Sequence, residues 1–301
     1  MKNLNCTKYL YIPLILIFGC NLSGKDQEQY SSFQDYWYQG KAEITSYTLQ
    51  QARYGELHQG NAIMIYVTED MSENKQVKLD DPESADDAVP VLKLNATREF
   101  TTGIYTYEMM TSVFTPVDRE EHPYSLKVTN GSQEWCGQSF TQVNKTDGGY
   151  DYKLFSYFES EGDQQHDLGE YWLEDELWTM VRISPDQLPT GEMKVIPGTT
   201  FQRLSHCEIK PYTAEITKDT SHATVVDYVI HYPELKRTLE IRYENKFPHS
   251  IQSWVETEKN GEGEDEEELI TKAIRDKSTM TDYWNKNKVK DASERTKLNL
   301  R

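Results

Sequence analysis

KAEITSYTLQQARYG (Lys41–Gly55) decides how this chain is read. Its apolar residues fall two apart, at Ala42 and Ile44 and again at Tyr47 and Leu49. Two is the period of a β-strand, whose side chains alternate between faces; a helix repeats every 3.6 residues. The two apolar pairs are out of phase with each other, which predicts a bulge near Ser46. The same alternation returns in NAIMIYVTED (61–70), TTGIYTYEMMTSVFTPV (101–117), YDYKLFSYFESE (150–161), TVVDYVIHYP (224–233) and RTLEIRYENKFP (237–248). Turn-forming pieces such as NKTDGGYD (144–151) separate them. Nearly every run has a polar second face, the mark of antiparallel sheet with one wet side. The expectation is a mostly β chain: an antiparallel meander that closes as a barrel or half-barrel, or stacks as a two-sheet sandwich, to hide its edges.

Two stretches depart from the alternation. DLGEYWLEDELWTMVRI (167–183) spaces Leu173, Leu177, Met180 and Val181 as on one helix face, with Asp167 as a candidate cap and Pro185 beyond its end. This predicts a mid-chain helix lying across the mouth of the barrel. ELITKAIRDKSTMTDYWNKNKVKD (268–291) brings Ile270, Ile274 and Trp284 near one face and predicts a C-terminal helix.

The N-terminus is a different kind of sequence. Lys2 and Lys8 precede an apolar stretch from Tyr9 to Phe18 that is too short to cross a bilayer as a helix, the profile of a secretory signal peptide. It ends in LILIFGC (14–20), which resembles the bacterial lipobox, with Ile17 and Gly19 ahead of Cys20. The resemblance implies cleavage after residue 19 and acylation of the Cys20 thiol. Two or three acyl chains, at about 0.8 kcal/mol per buried methylene, hold a protein at a membrane surface. The organisation expected is a signal peptide over 1–19, a lipidated flexible tether over 20–34, and a single β-rich domain over 35–301 ending in a helical tail.

Loss of residues 1–19 removes two lysines and no acid, moving the net charge from −18 to about −20. A chain so acidic repels phosphate backbones and anionic headgroups. Nucleic acid is therefore excluded as a partner, and membrane contact is left to the acyl anchor. Of the four cysteines, Cys136 and Cys207 remain in the domain. In an oxidising compartment they are candidates for a disulfide, with two isolated thiols as the alternative. There is no Cys/His cluster for zinc, no P-loop, no G-x-S-x-G and no H-E-x-x-H.

Candidate chemistry is confined to Glu159–Glu176, ESEGDQQHDLGEYWLEDE. Asp163, Asp167 and Glu170 offer the hard oxygen ligands that calcium prefers, and His166 beside them is a candidate general base. The alternative is a solvated loop leading into an acidic helix start. The acidic run Glu262–Glu268 reads as a charged loop. The chain holds 20 tyrosines and 6 tryptophans, which on strands serve core packing first and sugar or lipid contact second. Tyr36-Trp37-Tyr38 is expected to cover a sheet edge.

YWYQGKAEITSYTLQQARYGE (36–56), SYFESEGDQ (156–164), LEDELWTMVRISPDQLPTGEMKVIPG (173–198) and YWNKNK (283–288) together resemble a family of uncharacterised lipoproteins of flavobacteria and their relatives. The resemblance covers most of the chain from Asp35 onward and implies a lipid-anchored protein of the cell envelope, at the outer membrane. Members often carry the label "septum formation inhibitor Maf". The Maf-like nucleotide pyrophosphatases are cytoplasmic α/β proteins with an early Ser-x-Ser-x-Arg-Arg turn. This chain has no such turn, so no nucleotide-hydrolysing residue is carried over.

Three functions follow as expectations. The first is a non-enzymatic envelope scaffold that binds a small molecule, glycan or protein, without a cofactor. The second is a calcium-assisted hydrolase using Asp163, His166 or Glu170. The third is a structural role in envelope assembly.

Overall fold

The computed structural model describes residues 33–260 and 267–300. The expected signal peptide, Cys20, most of the tether and nearly all of the acidic run at 262–268 lie outside the described residues.

The chain first lays down eight strands in order: β1 (Ala42–Arg53), β2 (Glu56–Ser72), β3 (Ala88–Thr102), β4 (Tyr105–Pro116), β5 (Lys127–Glu134), β6 (Gly137–Thr146), β7 (Gly149–Ser156) and β8 (Gln164–Leu168). A two-residue strand β9 (Trp172–Leu173) leads into helix α1 (Glu174–Ile183). Next come β10 (Gly191–Ile196) and the short helix α2 (Thr199–Ser205). Five strands close the order: β11 (Tyr212–Asp219), β12 (Val225–Tyr232), β13 (Arg237–Glu244), β14 (Ile251–Asn260) and β15 (Glu267–Thr281). All 15 strands belong to one sheet, ordered 8-7-6-5-4-3-2-1-15-14-13-12-11-10-9. The first strand pairs with the last, and every pairing is antiparallel except β9 with β10. The sandwich alternative is thereby set aside: this is one sheet, rolled and not closed.

An open sheet beyond about 10 strands must curl. Arg98 on β3 and Glu256 on β14 measure how far. Three strands lie between them, so their backbones on a flat sheet would stand at least about 19 Å apart at the usual strand spacing. Their side chains nevertheless meet at 2.6 Å. The sheet's edges, β8 and β9, are joined by residues 169–171 alone, a link that spans at most about 15 Å. Both edges are short, five residues and two, which leaves little unpaired backbone for another chain to extend.

From that seam the chain turns inward. All ten residues of α1 are buried, so the helix does not lie across a mouth; it fills the trough of the rolled sheet. Leu173, Leu177, Met180 and Val181, the stripe read from sequence, are in the main core. Each full burial of such a side chain contributes about 1.5–3 kcal/mol. Asp167 is not the cap. It lies in β8 opposite Asp151, and Glu176 instead accepts the Leu173 N–H at 3.0 Å.

Two ion pairs pin the ends of α1. At its C-terminal end Arg182 donates both Nη groups to Glu43 on β1, at 2.8 and 2.7 Å, and its Nε to the Pro248 carbonyl at 2.8 Å. The guanidinium also lies over the rings of Trp37 and Tyr66, 5.0 and 4.6 Å from their centroids. At the N-terminal end Glu174 takes both Nη groups of Arg237 on β13, at 2.6 and 2.8 Å. The signs agree with the helix dipole, acid at the start and base at the end.

The expected bulge is present in the β1–β15 pairing, between Ser46 and Tyr47, and the extra residue is Asp276 on β15. The apolar phase change in β1 has a second cause. Its pairing to β2 is unbroken, so Glu43, Thr45, Tyr47 and Leu49 share the inner face while Ala42 and Ile44 share the outer one. Ala42 and Ile44 pack there with Val67 and Leu298 of the C-terminal tail. The helix expected over 268–291 is instead mostly strand β15, followed by 3₁₀ turns at Tyr283–Asn285 and Val289–Leu298. Ile270 and Ile274 share a face in either structure because a spacing of four satisfies both periods. Here both are exposed, while Thr271 and Ala273 point inward. Tyr36-Trp37-Tyr38 covers no sheet edge. Trp37 is fully buried against Tyr66, and the Tyr36 hydroxyl donates to Glu43 at 2.5 Å.

Arg182→Met leaves the Glu43 carboxylate buried without its cation. Removing one partner of a buried pair costs about 3–5 kcal/mol, and replacing both with apolar residues is far milder. Urea unfolding should show Arg182→Met destabilised by that amount and Arg182→Met/Glu43→Leu recovering most of it. An Arg182→Met protein within about 1 kcal/mol of wild type would mean that the pair does not hold the helix.

Candidate functional site

On each strand of the first half alternate residues face inward toward α1, and β3 is the informative one. Leu92, Leu94, Ala96, Arg98 and Phe100 alternate, so Arg98 stands at a core position. By the same parity Arg237 stands with Leu239, Ile241 and Tyr243 on β13, and Glu256 with Trp254 on β14. Together they form a buried chain of charge. Arg98 meets Glu256 at 2.6 Å, Glu256 meets Arg237 at 3.2 Å, and Arg237 holds Glu174. Burial opposes the Glu256 charge, but Arg98 and Arg237 keep its carboxyl below the usual range. The cavity beside this chain of charge, also lined by Met64, Met109, Trp178 and Trp254, measures about 40 Å³. That is room for water and too little for a ligand.

Asp175, next along α1, faces no cation directly. Its carboxyl accepts the Thr199 N–H at 2.9 Å. Burial, with Glu174 beside it, pushes its pKa up to about 7. Glu176 is also pushed up by burial, although Arg119 stands 3.9 Å away and the Ser125 N–H donates to it at 2.9 Å.

A larger cleft, about 230 Å³, opens between β6–β8 and the segment from α2 to Ile209. His166 lines it, as do Glu161, Gln202, Arg203, His206 and Cys207. Glu161 is its hub, taking Ser156 Oγ at 2.5 Å, His206 Nδ1 at 2.7 Å and Arg203 Nη1 at 3.2 Å. Burial works against its charge, but these three partners hold its carboxyl below the usual value. Tyr152 donates to Gln202 at 2.6 Å, and Gln202 donates to the Pro197 carbonyl at 2.8 Å. Much of this polar wall is thus committed to neighbours in the same chain.

The residues proposed from sequence are not assembled here. Asp163 is exposed and accepts the Ser156 N–H, Asp167 is exposed on β8, and Glu170 is exposed and paired with Lys145 at 3.1 Å. Among the described residues no group of three His, Cys, Asp or Glu side chains is placed to hold a metal ion. His166 faces the cleft with its Nε2 against Gln164 and its ring edge-on to Tyr152. Cys136 and Cys207 are both free, which corrects the disulfide expectation: Cys136 sits exposed in the β5–β6 turn and Cys207 is half-buried in the cleft wall. Burial pushes the Cys207 thiol up, and Glu134 does the same to Cys136, so neither is an activated thiolate.

Sequence reading passed over Glu43, Arg98, Arg182, Glu174, Arg237 and Glu256. The signal was available, because each of the three arginines interrupts an apolar set at its own strand or helix period. Compared with family models, curated proteins and solved structures, the chain matches none.

Asp175 gives a pH test. The native carboxyl keeps its proton until about pH 7, whereas the unfolded one loses it near 4. Across that window the unfolded state binds fewer protons, so this group's contribution to stability falls as pH rises and levels off above 7. Asp175→Asn keeps an acceptor for the Thr199 N–H and removes the titration. Melting both proteins from pH 4 to 8 should show the difference shifting in favour of Asn up to about pH 7, then holding constant. A difference independent of pH would contradict the assignment.

Proposed function

We propose that the protein is a lipid-anchored scaffold of the cell envelope that acts by surface contact and performs no reaction of its own. One observation carries this reading: the trough of the sheet, where a rolled β-structure would enclose a ligand, is occupied by the protein's own helix. Ligand pockets generally run to about 300–1,000 Å³. The cavity at the chain of charge and the cleft at α2 measure about 40 and 230 Å³, both below that range. The hydrolase reading loses its support because Asp163, His166 and Glu170 belong to separate local contacts.

The lipobox resemblance at Cys20 supports the anchor. Phe33, the first described residue, packs with Trp37 in the aromatic cluster near Ala42, where β1 begins. An anchor attached upstream would hold this end of the sheet toward the membrane.

Native mass spectrometry of protein extracted from the envelope tests both parts. The expected species starts at Cys20, carries acyl chains and brings no stoichiometric lipid, sugar or metal with it. Cys20→Ala should retain residues 1–19 and lose the acyl mass. A bound lipid at one per chain would make the protein a carrier and overturn the surface reading.

A further inference from the structure

The outer face of β3–β7 carries a row of side chains that no core residue covers. In register across the strands it runs Thr97, Met110, Gly131, Phe140, Phe155. The inner positions of the same strands already supply the core with Val113, Val128, Val143 and Leu154, so these outward apolar residues are surplus to it. Met110, Phe140 and Phe155 are exposed, and at the neighbouring turns Trp135 and Tyr157 are each 74% exposed. Tyr157 is held in place: a Cβ on Gly137 would stand 2.5 Å from its ring, so the ring lies directly on that backbone. Gly131, whose missing side chain would meet nothing within 4 Å, leaves a notch between Met110 and Phe140.

Met110, Trp135, Phe140, Phe155 and Tyr157 together expose on the order of 600 Å², at the upper end for the largest apolar patch of a monomer. That approaches the roughly 800 Å² per partner of a standard protein interface. Met, Phe, Tyr and Trp are the residues enriched where proteins dock, with Trp and Tyr most often dominating the energy.

Charge chooses among occupants. The next outward row runs Glu99, Glu108, Gln133, Gln138, and Glu134 stands at the turn beside Trp135. Lys153, outward on β7, is paired with Asp151 at 2.7 Å. The border is therefore acidic on a chain of net charge −18, which disfavours both a second copy and an anionic bilayer.

We infer that this face docks a protein partner whose apolar anchor residue enters the Gly131 notch and whose flanking lysines or arginines meet Glu99, Glu108 and Glu134. The inference rests on the surface-scaffold reading and gives it a place and a partner chemistry.

The test is site-specific photocrosslinking in intact cells, with a benzophenone amino acid replacing exposed Gln138 of the full-length chain and, as control, exposed Lys272 on β15. Expected from Gln138 is a discrete protein adduct whose crosslinked peptide carries apolar residues flanked by Lys or Arg. Its yield should fall at least tenfold in Phe140→Ser/Phe155→Ser, and Lys272 should give no such adduct. The serine variant should melt like wild type because both positions face outward. An adduct to lipid, glycan or a second copy, an acidic partner peptide, equal yield in the serine variant, or no adduct would each overturn the inference. Failure here alongside a ligand-free native mass would reject the patch and leave the surface-scaffold reading standing.

Discussion

The clamp on α1 is the constraint from which the rest of the structure follows. A ten-residue helix lies inside a rolled sheet with an arginine–glutamate pair at each end, one reaching β1 and the other β13. Buried pairs of this kind are weak sources of net stability, because removing two ions from water costs about what their attraction returns. Their value is positional. Helix and sheet could slide on apolar contacts alone, whereas a bidentate guanidinium–carboxylate pair has one geometry. With both ends fixed, Trp178 meets Trp254 edge-on, and the Tyr66 hydroxyl reaches the Trp178 carbonyl at 3.1 Å.

The plug also explains the open seam. A closed barrel would need β8 and β9 to pair, but the chain uses that gap to pass from one edge strand into α1. Gly149, at φ +138°, is where β7 begins beneath this seam, and a Cβ there would stand 2.1 Å from the Leu168 carbonyl oxygen. The unpaired edges are then short enough to be covered locally, and α1 fills the concave face of the 15-stranded sheet, with Leu204 of α2 and with Phe33 and Trp37 in the same core. What distinguishes the surface is the outward aromatic face of β4–β7, together with the polar cleft at α2 that opens along the inner face of β6–β8.

Much of the architecture was legible in the alternation of single strands. The antiparallel meander, the mid-chain helix with its Leu173–Leu177–Val181 stripe, and the irregularity at Ser46 all follow from local periods. Pairing of β1 with β15 was not legible, because no local pattern encodes contact between segments more than 200 residues apart. Ile270 and Ile274 misled for a related reason, since a spacing of four cannot separate helix from strand. Arg98, Arg237 and Glu256 announced themselves by standing in apolar register, yet their partners are set by how tightly the sheet rolls. Asp163, Asp167 and Glu170 are not brought together for the opposite reason: they are close in sequence, but a strand and a turn send them to different neighbours.

The central claim is that α1 is a permanent part of the core and not a movable lid. Native-state hydrogen exchange on the helix amides addresses it most directly, because exchange reports the free energy of the opening that exposes each amide. If the clamp holds, Leu177–Ile183 should exchange only through global unfolding, with the same free energy as inner-strand amides of β1 and β13. Exchange of α1 at a markedly lower free energy, while those strands stay protected, would show a trough that empties in the native state and would contradict the account.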